Sequence, residues 1–257
     1  MTPVPESAWL IGASSGIGAA LARVLAARGW RVVISARGTE TAASVAAEFA
    51  ELISILPLDV TDTPACEAAV AEAETILGGP PDLVVFAAGA WQPMGVSDLD
   101  PAVARSLMNV NYLGAVNVLA ALLPGCRERR RGHIAVIASV AGYRGIPRAA
   151  GYGPTKAALI NLCESLKPEL DAAGVRLRLV DPGFVATPMT AVNDFPMPFL
   201  LAAEDAAERL FTALTRSSRF EITFPKRFTW GLKFLRLLPY GAYFALMRRL
   251  DRGRKRG

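Results

Sequence analysis

The chain has 257 residues, of which 52% are hydrophobic and 20% are charged, so it supplies enough apolar side chains for a sizeable core. Its formal net charge of +5 arises in residues 248–257, which hold six basic side chains and one acidic side chain. A single histidine leaves too few imidazoles for a histidine metal site or a Ser-His-Asp triad, and we expect neither a metal nor a nucleic acid partner. Three scattered cysteines without C-x-x-C spacing favour a reducing, cytoplasmic compartment.

Short apolar segments alternate with longer segments of helical periodicity along most of the chain. The short segments predict buried strands at Ala8–Ile11, Val32–Ser35, Ile53–Leu58, Leu83–Ala87, Ile134–Ala138 and Arg176–Val180. The longer segments predict helices at Ile17–Arg28, Thr41–Ala50, Pro64–Leu77, Pro101–Leu122 and Tyr152–Asp171. This alternation predicts an α/β fold with a doubly wound parallel sheet in one domain at residues 1–225, followed by a C-terminal extension at 226–257.

A glycine-rich loop follows the first predicted strand at once and leads into the first predicted helix. It reads Gly12-Ala13-Ser14-Ser15-Gly16-Ile17-Gly18, a G-x-x-x-G-x-G spacing. Glycine has no Cβ to keep the backbone away from a pyrophosphate, and the start of a helix offers unpaired N–H groups to that anion. The cofactor-binding residues expected in this loop are Gly12, Ser14, Ser15, Gly16, Ile17 and Gly18.

The end of the second predicted strand indicates which dinucleotide binds. An acidic residue there would bond the ribose 2′-hydroxyl of NAD and repel the 2′-phosphate of NADP. The sequence has Ser35-Ala36-Arg37 instead, and a guanidinium can pair with a phosphate through two hydrogen bonds. This pattern favours NADP(H), with Arg37 at the 2′-phosphate; the alternative is that Arg37 is a solvated loop residue.

A tyrosine and a lysine occur four residues apart in Tyr152-Gly153-Pro154-Thr155-Lys156, at the start of a predicted helix. Residues at this spacing lie one turn apart on the same helix face. A lysine ammonium so close stabilises a phenolate, so we expect the pKa of Tyr152 to fall from about 10 toward neutrality. Ser139, at the end of the preceding strand, and Asn111, in the long helix before it, complete a candidate catalytic set.

These motifs follow one another as they do in short-chain dehydrogenase/reductases, and the chain resembles that family from about Ala8 to Phe224. The matching residues are Gly12–Gly18, Asp59, Ala88-Gly89, Asn111-Tyr112-Leu113-Gly114, Ser139, Tyr152 with Lys156, and Pro182–Thr187. The resemblance implies a Rossmann fold with a seven-stranded sheet, whose seventh strand would be Phe220–Phe224. It also implies a homodimer or a homotetramer.

The resemblance further implies a role for each matching residue. Tyr152 would exchange a proton with the substrate oxygen, and Ser139 would donate a hydrogen bond to that oxygen. Lys156 would hold the nicotinamide ribose, and Asn111 would hold a water in a proton relay. The remaining cofactor contacts would come from Asp59 and Val60 at the adenine, from Ala88 and Gly89, and from Pro182, Gly183, Val185 and Thr187 at the nicotinamide.

The segment Phe228–Met247 is rich in aromatic residues and leucine, is interrupted by Pro239, and leads into the basic tail. Trp230 and Phe234 follow helical spacing, with Lys233 and Arg236 on another face. Two interpretations remain open. The segment could lie on an anionic membrane surface, at the inner face of the membrane, or it could cover the substrate cleft or a neighbouring subunit.

Together the motifs predict an NADP(H)-dependent enzyme that interconverts a carbonyl and an alcohol. We expect a hydrophobic substrate, because the region after Thr187 would line the cleft with Pro188, Met189, Phe195, Met197, Pro198, Phe199, Leu200 and Leu201. One alternative is a non-catalytic NADP(H)-binding protein that senses redox state or tethers partners at a membrane. Another is a peripheral membrane protein whose enzyme activity is secondary. The complete set of Asn111, Ser139, Tyr152 and Lys156 favours the enzyme.

Overall fold

The structure is a computed structural model that describes residues 7–193 and 195–254, with side chains described as far as Arg249. Its strands are β1 (Ser7–Ile11), β2 (Arg31–Ala36), β3 (Ile53–Pro57), β4 (Leu83–Phe86), β5 (Gly132–Ile137), β6 (Val175–Pro182) and β7 (Glu221–Phe224). They form one parallel sheet in the order β3-β2-β1-β4-β5-β6-β7. The predicted seven-stranded, doubly wound fold is therefore confirmed.

Helices cover both faces of this sheet. They are α1 (Gly16–Ala26), α2 (Thr39–Ala47), α3 (Thr63–Leu77), α4 (Pro101–Met108), α5 (Gly114–Glu128), α6 (Tyr152–Ala172), α7 (Ala203–Arg216), α8 (Lys226–Arg236) and α9 (Tyr240–Arg254). Side chains alternate along a strand, so the neighbours Trp9 and Leu10 of β1 point to opposite faces of the sheet. Both are fully buried, Trp9 in the core on one face and Leu10 in the core on the other. Strands covered on both faces explain the nearly continuous apolar segments in the sequence.

Two helical regions differ from the sequence prediction. The helix predicted at Pro101–Leu122 extends to Glu128, and a π-helical turn at Asn109–Leu113 separates α4 from α5. The helix α7 is absent from the predicted elements, although its buried Ala206, Leu210 and Leu214 follow helical spacing. Its acidic first turn and its terminal arginine are further helix signals in the sequence. The domain boundary between residues 225 and 226 stays a prediction.

The order of the strands places a crevice next to β1. From β1 the chain runs outward to β2 and β3, and then returns to β4 on the opposite side of β1. Connections therefore leave β1 and β4 on opposite faces, and a crevice opens at the carboxyl ends of these strands. The loops after β1, β4, β5 and β6, which carry most of the predicted site residues, meet at this edge of the sheet.

One helical stretch in the described part of the chain, Pro101–Glu128, is long and apolar enough to cross a membrane by length and composition. Its Val118, Leu119 and Leu122 are buried in the core against the sheet. A core helix of a folded domain passes the same test, so this stretch does not by itself indicate a membrane span.

Candidate active site

A cavity of about 740 Å³ opens at the carboxyl edge of the sheet. All the predicted site residues line it except Asn111, which is buried behind its wall. The lining residues from the prediction are Gly12, Ser14, Ser15, Gly16, Ile17, Gly18, Arg37, Asp59, Val60, Ala88, Gly89, Ser139, Tyr152, Lys156, Pro182, Gly183, Val185 and Thr187. Residues at the carboxyl ends of six strands and in the helices α1 and α6 thus share one cavity, and their individual roles stay predictions.

The loop between β1 and α1 has the shape of a phosphate cradle. Gly12 has a φ of +87°, and a Cβ built there would lie 2.3 Å from the Ala88 backbone nitrogen. Gly16 has a φ of +57°, and its Cβ would lie 3.1 Å from Cγ2 of Thr187. Among the described residues no side chain caps the start of α1, so its first N–H groups remain available to an anion in the cavity. These residues fit a dinucleotide pyrophosphate.

Arg37 and Asp59 lie at the end of the cavity expected to hold the adenosine. The exposed Arg37 follows β2 directly, and Asp59 follows β3. Hydrogen bonds from the backbone nitrogen and the hydroxyl of Thr61, at 2.9 and 2.8 Å, hold the pKa of Asp59 below its usual range, and the charge of Arg37 acts in the same direction. The neighbouring wall residue Val60 is fixed by a 2.9 Å bond from Asn117 to its carbonyl. A fixed negative charge therefore stands within electrostatic reach of the candidate phosphate ligand Arg37.

Ser139 and Tyr152 meet at the middle of the cavity. Ser139 precedes a 3-10 turn at Val140–Gly142, and its hydroxyl accepts a 3.1 Å hydrogen bond from the Ala141 backbone nitrogen. Tyr152 is the first residue of α6. Burial raises the pKa of Tyr152 to about 12, and a hydrogen-bonding interaction with Ser139 offsets only part of that rise. The tyrosine therefore carries its proton at neutral pH.

The expectation that Lys156 lowers the pKa of Tyr152 toward neutrality is wrong for this structure. The Lys156 ammonium lies 5.5 Å from the centre of the Tyr152 ring and donates a 3.0 Å hydrogen bond to the Ile137 carbonyl. Burial also lowers the pKa of Lys156 to about 8, so the amine still carries its charge at neutral pH. The cost of placing a phenolate in this buried site outweighs the attraction of that lysine.

Asn111 braces the site from behind the cavity wall. Its amide oxygen accepts a 2.6 Å bond from the Ala90 nitrogen, and its amide nitrogen donates to the Ala90 carbonyl at 3.0 Å and to the Thr155 hydroxyl at 2.9 Å. The Thr155 hydroxyl in turn donates to the Tyr152 carbonyl at 2.8 Å. Asn111 therefore ties the loop after β4 to the first turn of α6. Both amide hydrogens are used, so the water-holding role that the family resemblance implies is not carried by that NH₂ group.

The loop after β6 forms the wall expected to face the nicotinamide. Gly183 donates a 2.8 Å hydrogen bond from its backbone nitrogen to the Phe224 carbonyl, which continues the pairing with β7. Val185 pairs with Leu201 in an isolated β-bridge, and the Thr187 nitrogen donates to the Thr190 hydroxyl at 3.0 Å. These bonds hold Val185 and Thr187 in place along the cavity.

The hydrophobic lining predicted after Thr187 is partly correct. Met189, Phe195 and Pro198 line the cavity, and Thr190, Asn193 and Pro196 join them. The other predicted residues, namely Pro188, Met197, Phe199, Leu200 and Leu201, do not line it. Backbone bonds between Leu201 and the Phe184–Ala186 strip turn this part of the chain away from the cavity, and Phe199 and Leu200 are exposed.

Trp91 is a site residue absent from the sequence prediction. Its ring packs edge-on against the Tyr152 ring with 5.0 Å between the ring centres. Its indole nitrogen donates a 2.9 Å hydrogen bond to the Asn193 side chain. Trp91 thus links Tyr152 to the loop that carries Asn193. Its place two residues after Gly89 is the signal in the sequence that could have identified it.

The C-terminal segment forms another wall of the cavity. Both of its helices contribute lining residues, which are Phe228, Leu232 and Leu235 of α8 and Tyr243 and Met247 of α9. The inner face of the segment therefore covers the cleft, as one of the two open interpretations requires. The loop after β5 completes this end of the cavity. Its lining residues are Val140, Ala141, Tyr143, Arg144, Ile146 and Pro147.

A buried charged cluster connects this cover to the sheet. The Tyr143 hydroxyl donates a 2.7 Å hydrogen bond to Glu221, which also pairs with Lys233 of α8. Fully buried Asp181, at the end of β6, lies near this cluster, and its two carboxylate oxygens have no hydrogen-bond partner among the described residues. Burial, together with the neighbouring charge of Glu221, raises the pKa of Asp181 to about 7.

The fold and this cavity define a nucleotide-dependent α/β enzyme, and comparison with known proteins identifies its family. A family model described as short chain dehydrogenase matches residues 6–195. An uncharacterized oxidoreductase of Myxococcus xanthus is 36% identical over 248 residues, which cover 95% of this chain and 97% of that protein. The chain belongs to the short-chain dehydrogenase family and is an oxidoreductase of that family.

Solved structures show the same architecture. A short-chain dehydrogenase from Streptomyces avermitilis superposes with a TM-score of 0.81 at 25% identity, covering 97% of this chain and 98% of that one. The structure of ElxO with NADP bound superposes with a TM-score of 0.75 at 23% identity, covering 85% of this chain and 97% of that one. The ElxO likeness is one of fold.

Proposed function

We propose that the protein is an NADP(H)-dependent reductase of hydrophobic carbonyl compounds, which also oxidises the corresponding alcohols. The proposal rests on the position of Ser139 and Tyr152 in a cavity that also contains the phosphate cradle and an apolar chamber. The chamber is the part of the cavity lined by Trp91, Phe184, Phe195, Phe228 and Leu232. A dinucleotide in the cradle and a carbonyl in the chamber would meet at these two hydroxyls. The proposed cofactor fits the residues present, because the glycine backbone leaves room that a Cβ would fill.

Each catalytic side chain has a definite task in carbonyl reduction. Hydride for the carbonyl carbon would come from the nicotinamide cofactor that the glycine-rich loop and Lys156 would hold. Tyr152 donates its proton to the carbonyl oxygen, and Ser139 donates a hydrogen bond that stabilises the negative charge on this oxygen in the transition state. Because burial raises the pKa of Tyr152, the phenol carries its proton at neutral pH and can donate it during reduction. Lys156, buried one turn along α6, would hold the ribose hydroxyls.

The proposed preference for NADP(H) rests on Arg37. The end of β2 carries no acid that would bond the ribose hydroxyls of NAD, and the exposed Arg37 side chain is at the cavity wall where a 2′-phosphate would lie. Asp59, which follows the neighbouring strand β3, reduces the net positive charge there. The preference therefore depends on a direct pairing of Arg37 with the phosphate rather than on a strongly basic surface.

The hydrophobic substrate is proposed from the walls of the chamber. Its lining includes Trp91, Phe184, Phe195, Phe228 and Leu232, and the Phe184 ring packs 5.6 Å from the Phe228 ring between their centres. Burial of apolar surface contributes roughly 25 cal/mol per Å², so such walls favour an extended apolar chain or ring system. The alternative of a non-catalytic NADP(H)-binding protein has no observation in its favour. A cytoplasmic homodimer or homotetramer is the proposed assembly, and light scattering of the purified protein would determine it.

A screen of carbonyl substrates tests the proposed function. We expect the purified protein to oxidise NADPH in the presence of aldehydes or ketones, with kcat/KM rising as the apolar chain of the substrate lengthens. A parallel series of carboxylates of the same chain length serves as the control, because these compounds fill the chamber without offering a reducible carbonyl. If the protein bound NADPH saturably but oxidised it with none of the carbonyls, the proposal would be contradicted.

A further inference from the structure

The outer face of the C-terminal segment, defined here as Trp230, Phe234, Leu237, Tyr240 and Phe244, is an exposed apolar surface. Between 50% and 78% of each of these side chains is accessible to solvent. Trp230, Phe234 and Leu237 recur at the spacing of one helix face on and after α8, and Tyr240 and Phe244 continue on α9. A row of large apolar side chains this exposed is typical of a surface that meets another apolar phase.

The apolar surface continues onto the loop after β6, which packs beside the C-terminal segment. Phe199 and Leu200, on the loop after β6, are 58% and 44% exposed. The Phe199 ring lies 6.0 Å from the ring of Phe228, which lines the cavity at the start of α8. Solvent-exposed apolar side chains therefore extend from the C-terminal segment to the adjoining loop after β6, next to the cavity-lining Phe228.

Basic residues accompany this surface, and acidic residues do not. Between Lys226 and Arg249 the chain has six basic residues and no acidic residue. Half-buried Lys233 pairs with Glu221, whereas Arg236 is exposed and its guanidinium lies 5.4 Å from the Tyr143 ring centre. Lys226, Arg227, Arg248 and Arg249 are exposed at the two ends of the segment. Four of the five exposed basic residues of the segment thus flank the apolar row, and Arg236 lies within it.

This charge pattern selects an anionic lipid surface over a second copy of the chain. A twofold contact between two copies would bring the same face of each together, and so would bring the two sets of basic residues close to each other. Like charges at such an interface oppose association. Anionic headgroups would instead pair with the basic residues while Trp230 and Phe234 enter the boundary with the acyl chains.

We propose that the outer face of the C-terminal segment docks on an anionic phospholipid surface and places the mouth of the cavity against the lipid. The same two helices have an inner face that lines the cavity and an outer face that meets the membrane. An apolar substrate dissolved in the bilayer would then reach the chamber between α8 and the loop after β6 without crossing water. Docking itself does not depend on the proposed chemistry.

Vesicle binding of the full-length protein tests this proposal. We expect the protein to sediment with vesicles of phosphatidylcholine mixed with phosphatidylglycerol, to bind pure phosphatidylcholine vesicles much more weakly, and to be released by salt. Brominated lipids should quench the fluorescence of Trp230. Trp9 and Trp30 are buried and Trp91 lies in the cavity, so the quenching should disappear in Trp230→Phe.

Matched variants separate the apolar and the charged parts of the surface. Trp230→Ser with Phe234→Ser should weaken binding by at least about tenfold through lost apolar burial. Val96→Ser with Leu99→Ser, which removes exposed apolar side chains from the loop after β4, should leave binding unchanged. The double variant Arg248→Gln with Arg249→Gln should weaken binding about 25-fold, because each lost charge costs about fivefold in affinity. The control Arg127→Gln, which removes an exposed charge from α5, should have little effect.

Turnover of a small water-soluble carbonyl should be unchanged in the Trp230/Phe234 double variant, which shows that the variant is folded and that docking is separate from catalysis. Equal binding to anionic and neutral vesicles, no quenching of Trp230, or retained vesicle binding by the double variant would overturn the proposal. A concentration-dependent dimer that the double variant abolishes, without vesicle binding by the wild type, would assign this face to a second copy instead.

Discussion

Arg144 fastens the C-terminal cover to the loop that carries Ser139. Its guanidinium donates hydrogen bonds to the carbonyls of Leu235 and Leu238, at 2.5 and 2.8 Å, where α8 ends. It also lies over the Tyr243 ring, 3.9 Å from the ring centre. The Leu235 carbonyl also accepts a long 3.3 Å bond from the Leu238 nitrogen, so the arginine reinforces a helix end whose carbonyls are weakly paired.

Replacement of Arg144 by alanine should open the cover more often. Hydrogen bonds from a charged donor contribute about 1.5–3 kcal/mol and a cation–π contact about 0.5–1 kcal/mol. Because Arg144 is half-buried, we expect a total near the lower end, about 2–3 kcal/mol. This loss corresponds to a population of the open cover that is roughly 30- to 140-fold larger.

Limited proteolysis measures this opening. Trypsin should cleave after Lys233 or Arg236 only in the open state, and the cleavage rate then follows the open population when reclosing is fast. Arg144→Ala should raise that rate roughly 30- to 140-fold, and Arg144→Lys should recover only part of the protection because it lacks the planar fork. Arg148→Ala, which removes an exposed ion pair with Asp98, is the control. A cleavage rate within twofold of wild type in Arg144→Ala would refute this account of the cover.

Two further predictions concern the cofactor and the buried acid. Arg37→Ala should weaken NADPH binding by roughly ten- to a hundredfold and leave NADH binding nearly unchanged, and titration calorimetry would measure both affinities. An equal loss of affinity for NADPH and NADH would show that Arg37 is only a surface residue. The folded chain retains the Asp181 proton up to about pH 7, whereas the unfolded chain releases it near pH 4, so this group should lower the free energy of unfolding as pH rises between those values. Urea unfolding across that range should show a shallower decline in Asp181→Asn, and an unchanged slope would disprove the assignment.

The sheet and the phosphate loop were predictable because local features determine them. Short apolar strands that alternate with helical segments lead to one topology, and a backbone like that of Gly12, with positive φ and no room for a Cβ, requires glycine at that position. The spacing of Tyr152 and Lys156 likewise depends only on one helix.

Features that depend on contacts between distant parts of the chain were less predictable. The proton affinity of Tyr152 depends on burial by several loops, which the Tyr152–Lys156 spacing does not reveal. Asn111 uses its side chain on Ala90 and Thr155, 21 and 44 residues away, rather than in the cavity. The inner and outer faces of the C-terminal segment are both apolar, so periodicity alone could not show which one covers the cleft.

The central claim is that Tyr152 supplies the proton during carbonyl reduction. The most direct measurement is the rate of NADPH oxidation with a reactive carbonyl by wild type, Tyr152→Phe and the matched control Tyr112→Phe, alongside NADPH affinity for each. We expect Tyr152→Phe to lose nearly all turnover while it binds NADPH almost normally, and Tyr112→Phe to match wild type. Substantial turnover by Tyr152→Phe, at normal NADPH affinity, would contradict the account.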